Sequence, residues 1–218
     1  MPQNAGRDGP QTGTAPPGGR PSAVAEPERV LDDTDLVDRV RTGDSTAYRG
    51  LVERYQNRVY GLVYGMVRDR EEARDLTQEA FVKAYRNLSG FRQDSSFHTW
   101  LFRIAMNVAI DHIRKFQKIH TAEYDDTLDH DEQGFDSWDA DHLRRSPAHD
   151  HERQRLYDRI MEALQHLSPE HRQAILLREI EGLSYKEIAD AMDIPEGTVM
   201  SRLFYARKRL QELLEDLR

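Results

Sequence analysis

Arg103, Asn107, Asp111 and Arg114 are spaced four, four and three residues apart, which sets them along one face of a helix. Guanidinium groups on such a face hold phosphates, and a short amide outside a core is suited to reading a base edge. Between Arg92 and Lys118 there are five basic residues and two acidic ones, with aromatics among them. Aromatics beside cations can stack on exposed bases while the charges hold the backbone. Trp100, however, falls on the apolar stripe Phe97, Trp100, Leu101, Ile104, Ala105 and Val108, and reads as core. A second basic cluster, Arg202, Arg207, Lys208 and Arg209, supplies charge for phosphates or guanine edges.

The elements that must carry these groups are helical. Residues 181–210, EGLSYKEIADAMDIPEGTVMSRLFYARKRL, read as a helix-turn-helix. Ser184 caps the first helix and Glu187 closes a capping box. Ile188, Ala189 and Met192 form its apolar stripe. Asp193-Ile194-Pro195 breaks it, because proline removes a donor and biases its predecessor away from helix. The second helix starts near Glu196, with Val199, Leu203, Leu210, Leu213, Leu214 and Leu217 at helical spacing. A plain helical hairpin with a solvated basic face has the same signature. Upstream, Ser168-Pro169-Glu170 is a helix start, and Glu181-Gly182 stops that helix.

The N-terminal half repeats the logic. Ala47, Leu51, Tyr55, Val59, Leu62 and Met66 mark one stripe; Asp69 with Glu72 caps the next helix, whose stripe is Ala73, Leu76, Ala80, Phe81, Ala84 and Leu88. The polar members of Asp75–Phe81 share an exposed surface, and charged helical surfaces of this kind are usually only solvated. Ser89-Gly90 ends this helix, and a polar loop to Ser96 leads to a third over about 97–116. No strand period of useful length occurs. The fold class is all-α.

Bulk numbers bound the rest. The chain has 218 residues, 38% of them hydrophobic, and no cysteine, which excludes disulfides and thiolate metal sites. No apolar run nears the roughly 20 residues that span a bilayer, and no signal segment is visible, so cytoplasmic residence is expected. The net charge of −8 is matched by residues 119–150 alone, where ten acids face Arg144 and Arg145. Charge outside that stretch is balanced, with local basic patches. Residues 1–30, with six prolines and five glycines, read as a disordered tail. The expected organisation is a tail (1–30), a small helical domain (31–118), an acidic flexible linker (119–151) and a second helical domain (152–218).

ARDLTQEAFVKAY (73–85) followed by FRQDSSFHTWLFRIAMNVAIDHIRK (91–115) resembles domain 2 of bacterial sigma factors of the sigma-70 family. LSPEHRQAILLREIEGLSYKEIADAMDIPEGTVMSRL (167–203) resembles their domain 4. The order, with no other sigma region between, is that of the extracytoplasmic-function (ECF) type. The resemblance implies a non-enzymatic factor, without cofactor, that directs core RNA polymerase to promoter DNA and assists melting. Asp75, Gln78, Glu79 and Phe81 would dock on the β′ clamp helices of core polymerase, and domain 4 on the β flap. Leu88, Phe91, Arg92, Ser95 and Ser96 of the loop, with Asn107 beneath it, would receive a flipped base of the −10 strand, and Arg103 and Arg114 adjacent phosphates. Unstacking that base costs a few kcal/mol, which a fitted pocket must recover. Thr198, Met200, Ser201, Arg202, Phe204, Tyr205 and Arg207 would face the −35 major groove. Met200 and Tyr205 stand where many ECF members carry basic residues, so relatives' base preferences do not carry over there. Met200 would read by apolar contact, as with a thymine methyl. An anti-sigma factor that occludes both domains is the further partner implied.

Two other readings compete: an autonomous helix-turn-helix regulator, and a metal-dependent enzyme using His120, His130, His142, His149 and His151 among the linker acids. The histidines lack a tight ligand spacing. A linker of about 32 residues reaches roughly 100 Å at most, and −10 and −35 lie about 25 base pairs, or roughly 85 Å, apart at about 3.4 Å per step. In related factors the linker threads toward the RNA exit path, so Asp125–Asp141 is read as a mimic of nascent transcript. Converting those acids to amides is then expected to change abortive-product yield and promoter escape; an unchanged gel profile of short transcripts would remove the mimicry idea.

Overall fold

The computed structural model describes residues 31–122 and 147–215, with side chains for 31–117 and 153–215. The tail, nearly all of the acidic stretch and residues 216–218 lie outside the described residues, and with them the transcript-mimic reading.

The N-terminal half contains α1 (Asp33–Arg41), α2 (Ser45–Val67), α3 (Arg70–Asn87) and α4 (Phe97–Ala122). Each of the first three starts on an aspartate whose carboxylate accepts a first-turn N–H: Asp32 from Asp35, Asp44 from Thr46 and Asp69 from Glu72. The acid satisfies an orphan donor and favours the positive helix end. Helix α2 closes on Arg68, in the left-handed region at φ 63°, and α3 then runs back along it. Helices α2, α3 and α4 pack on one another, with α1 on α2. Leu51, Leu62, Met66, Leu101, Phe102 and Met106 are fully buried between them. Helix α4 continues to Ala122, beyond the end expected near 116, so its last turn lies inside the stretch read as linker.

The C-terminal half contains α5 (Pro147–Gln165), α6 (Pro169–Ile175), α7 (Tyr185–Met192) and α8 (Glu196–Leu213). Helix α5 begins on Pro147, five residues before the expected domain start, with proline at the position where its missing N–H is harmless. Ser168 caps α6 ahead of Pro169, as the residue types suggest. The capping box forms in full at α7: Ser184 Oγ accepts from Glu187 N at 3.2 Å, and Glu187 Oε2 accepts from Ser184 N at 2.8 Å. Asp193, at φ 56°, ends α7, and Pro195 leads into α8. Ile188, Val199, Leu203 and Ala206 close the core, while Leu210, Leu213 and Leu214 stay half-exposed.

The helix expected to run unbroken to Glu181 departs from that pattern. At Ile175 it turns into a π-helical segment, Leu176–Ile180, with Glu181 N donating back to Leu176 O at 3.3 Å. Such bulges mark places where packing outweighs regular hydrogen bonding. Here Leu176, 1% exposed, meets Gly65 of α2.

The two halves are in contact, which no pattern in the sequence indicated. Helix α7 lies on α4, and α6 with the π segment lies on α2. Arg172 of α6, 7% exposed, joins them. Its guanidinium donates to Leu164 O at 2.8 Å, Gln165 O at 2.8 Å, Leu167 O at 3.2 Å, Gln165 Oε1 at 2.5 Å and Met66 O of α2. Burial pushes its pKa down to about 10, still well above neutrality, so it remains a cation. Arg172→Ala removes the side-chain donor from the carbonyls of Met66, Gln165 and Leu167, while Leu164 O keeps its bond from Leu167 N at 3.1 Å, and is expected to cost about 3 kcal/mol or more. Arg172→Lys should recover only part, because an ammonium lacks the planar fork. Urea unfolding followed by circular dichroism measures both; an Arg172→Ala loss below about 0.5 kcal/mol would contradict the assignment.

Candidate nucleic-acid interface

Helix α4 presents Arg103, Asn107, Asp111 and Arg114 to solvent, while Leu101, Ala105 and Val108 turn inward. Trp100 is half-buried at the rim, 5.0 Å from the Phe91 ring and 5.8 Å from Phe97. The loop before α4 is held from α1: Arg41 donates to Leu88 O at 3.3 Å and to Phe91 O, and its guanidinium sits 5.9 Å from the Phe91 ring centroid. Two of the expected −10 contacts are thereby corrected. Leu88 and Phe91 are 2% and 5% exposed, so they form the floor that fixes the loop and cannot themselves meet a strand. Ser96 is exposed but already engaged, capping α4 through Thr99 N at 3.3 Å and meeting Thr99 Oγ1 at 2.8 Å. Arg92 is exposed and Ser95 half-exposed at the loop tip.

On α3, Asp75, Gln78 and Glu79 are exposed together. Phe81 is the third correction: it is 7% exposed in the α2–α3 packing, where Tyr48 Oη donates to its carbonyl at 2.6 Å. A helix cannot bury position 81 and display it. The apolar side chain on the outer face is its neighbour Val82, 41% exposed, which motif and period did not single out. Val82 with Asp75, Gln78, Glu79, Lys83 and Arg86 lines a shallow depression.

On α8, Val199, Leu203 and Ala206 are buried, and Met200, Ser201, Phe204 and Tyr205 point outward. Met200, Phe204 and Tyr205 are 52%, 63% and 60% exposed, far more than packed apolar groups of a domain core. Phe204 and Tyr205 meet edge to face at 5.3 Å. Thr198 and Arg202 are half-buried beside them, and Ser201 Oγ donates to Thr198 O at 3.0 Å. Arg207 is tied to Glu179 by bonds of 2.8 and 3.2 Å, which raise its pKa further.

The α4 face and the helix-turn-helix face each other across a cleft of about 500 Å³. Asp94, Ser95, Trp100 and Arg103 line one wall; Asp190, Asp193, Ile194 and Pro195 line the other. Arg103 lies 3.6 Å from the Asp193 carboxylate, and Arg114 lies 3.2 Å from Glu170. Arg58, stacked 5.1 Å from the Phe102 centroid, reaches the nearly buried Glu181 carboxylate at 2.5 Å. Burial raises the Glu181 pKa, and Arg58 opposes that shift. His98 stands 3.9 Å from Glu187; burial, with Arg58 nearby, holds its pKa below the usual histidine value, so at neutral pH the contact is polar rather than ionic. Arg58, Glu170 and Glu181 give no signal in the sequence, because ordinary surface charges look the same in one dimension.

Among the described residues no His, Asp and Glu cluster could hold a metal, and no helix is long and apolar enough to cross a membrane. The linker histidines lie outside the residues whose side chains are described.

A capped helical bundle with an exposed Arg/Asn face, followed by a helix-turn-helix, is the layout of a promoter-specificity factor. The Sigma-70 region 2 family matches residues 51–119, and the Sigma-70, region 4 family matches residues 157–210. An RNA polymerase sigma-H factor of Pseudomonas aeruginosa is 39% identical over 85% of this chain and 95% of its own length. An ECF RNA polymerase sigma-E factor of Haemophilus influenzae is 40% identical over 86% of this chain and 97% of its own. Among solved structures, CnrH in complex with the cytosolic domain of CnrY superposes with TM-score 0.59 at 25% identity, covering 83% of this chain and 96% of that one. The chain belongs to the sigma-70 family. Within it, the chain is an ECF RNA polymerase sigma factor.

Burial separates framework from contact residues. Alanine at Phe81 or Phe91 is expected to cost about 3–5 kcal/mol. Alanine at Arg92, Asn107, Met200 or Tyr205 should stay within about 0.5 kcal/mol of the parent. Thermal melts of the six variants check this; equal losses in the two groups would mean that the burial pattern misassigns them.

Proposed function

We propose that the chain acts by binding alone: it docks on core RNA polymerase, presents α8 to duplex −35 DNA and captures the melted −10 strand on α4. RNA synthesis belongs to the polymerase, so the working compartment is the cytoplasm. The observation that carries this reading is the pair of outward faces on one chain. One is an Arg/Asn face beside an aromatic rim, suited to single-stranded bases. The other is a recognition helix displaying Met200, Ser201, Phe204 and Tyr205 beyond its buried stripe.

The residue roles follow from exposure. Asp75, Gln78 and Glu79, joined by Val82, form the polymerase-docking face on α3, with the β′ clamp helices as their partner and the β flap as the partner of the C-terminal half. Arg92, Ser95 and Asn107 address the flipped −10 base, with Ser96 fixing the start of α4. Arg103 and Arg114 hold phosphates. Thr198, Met200, Ser201, Arg202, Phe204 and Tyr205 meet the −35 groove; Met200 supplies a surface for a thymine methyl, and Arg207 joins when it leaves Glu179. Domain boundaries at 31–118 and 152–218 serve this division, the helix ends at Ala122 and Pro147 extending each domain into the acidic connection. An anti-sigma factor is the expected regulator; CnrH, of similar fold, is itself seen in complex with the cytosolic domain of CnrY.

Run-off transcription with core polymerase and genomic promoter fragments tests the reading. The chain should confer promoter-specific product. Val82→Asp should raise the concentration needed for half-maximal product on the order of tenfold. Asn107→Ala should slow strand opening, read by permanganate footprinting, while leaving −35 duplex protection intact. Equal site-specific duplex binding with and without core polymerase would favour an autonomous regulator instead.

A further inference from the structure

Arg92 and Ser95, assigned to the flipped −10 base, sit on the loop 91–96, which is neither helix nor strand. Backbone hydrogen bonds secure its ends: Phe91 N donates to Leu88 O at 3.2 Å, and Trp100 N to Ser96 O at 3.2 Å. Between those ends the loop is held by side chains of α1. Arg41, its side chain 28% exposed, donates to the carbonyls of Leu88 and Phe91 while lying against the Phe91 ring. Asp38, one turn earlier on α1, lies 3.7 Å from the Arg41 guanidinium and accepts from Gln93 Nε2 at 3.4 Å. Arg41 is the stronger tether, because a charged donor serves two carbonyls; the longer, exposed Gln93 bond is the weaker.

The backbone at Gln93 is a second, independent sign that this loop is held. Its φ of 61° lies in the left-handed region, which a residue with a Cβ adopts at a cost. Such residues persist where the surroundings over-determine them, and they concentrate at ligand clamps. Arg68 and Asp193 share that conformation, but each of them closes a helix, whereas Gln93 stands inside a loop. Both candidate contacts are flanked by tethered neighbours. Arg92 lies between Phe91, bonded to Arg41, and Gln93, bonded to Asp38. Ser95 precedes Ser96, which is bonded to Thr99.

We infer that α1 presets the base-capture loop: Arg41, and Asp38 through Gln93, are positioning residues that hold Arg92 and Ser95 in place before the −10 strand arrives. This rests on the −10 assignment of the loop. None of the three positioning side chains needs to touch DNA. A loop that is already ordered loses little backbone entropy on binding, so the tethers act on the step in which the base enters. Duplex −35 binding, which belongs to α8, is not altered by them.

Abortive-initiation lag kinetics, with core polymerase on a promoter fragment selected by run-off, separate closed-complex binding from strand opening. Arg41→Ala and Gln93→Gly should each slow opening on the order of tenfold, with closed-complex binding kept within about twofold. Gln93→Gly is the sharper probe. Glycine accepts φ 61° without a Cβ penalty, so this variant should open slowly yet melt no lower than the parent. Gln93→Glu sets a carboxylate against Asp38 and should slow opening; adding Asp38→Asn restores a donor–acceptor pair and should recover it. In the full chain alone, backbone amide NMR relaxation should give order parameters above about 0.8 at Arg92 and Ser95 in the parent, and below about 0.6 in Gln93→Gly. A loop already mobile in the parent would overturn the inference. So would unchanged opening in Arg41→Ala and Gln93→Gly, or slowing that tracks melting across the variants. Failure of the parent to open any promoter, with its loop ordered, would instead overturn the promoter reading and leave α1 as the anchor of the loop.

Discussion

One guanidinium closes several helix ends at once. The last carbonyls of any helix lack an intrahelical donor, and burying them without one costs more than a typical hydrogen bond returns. Arg172 donates to Leu164 O and Gln165 O in the last turn of α5, to Leu167 O just beyond it, and to Met66 O near the end of α2. The α5–α6 corner and the seam between the halves therefore share one cation. Neither can change much without leaving the other's carbonyls unsatisfied. Gln165, bonded to Arg172 and also donating to Gly65 O, extends the arrangement along α2.

Around that anchor the seam has two chemical characters. Near Gly65 it is close-packed, and the π segment at Leu176–Ile180 lets Leu176 reach the glycine. Toward α4 and α7 it is polar and part-open, with arginines of one half opposite carboxylates of the other. The first region favours one geometry; the second is easily exchanged for phosphate or water.

Much of the local structure was readable along the chain. The caps at Asp69, Ser168 and Ser184, the break at Asp193–Pro195 and the inward stripes of α2 and α3 stand where residue types and period placed them. Errors came where a side chain was assigned to a partner without asking which way it pointed. Phe81 and Leu88 carry motif resemblance and core stripe together, Phe91 the resemblance alone, and in the structure packing claims all three. Val82 was missed for the converse reason, an apolar residue on a face read as polar.

Periodicity, caps and breakers act within a few residues, so the sequence alone determined an all-helical chain bearing a helix-turn-helix. The motif blocks, being local strings, likewise carried the family. What the tertiary structure decided is long-range: that Gly65 is a seat for Leu176, that Arg172 reaches Met66 across 106 residues, and that Arg103 meets Asp193. No helical period or local cap relates positions so far apart in the chain. Their pairing depends on the three-dimensional path of every helix between them, and only folding brings them together.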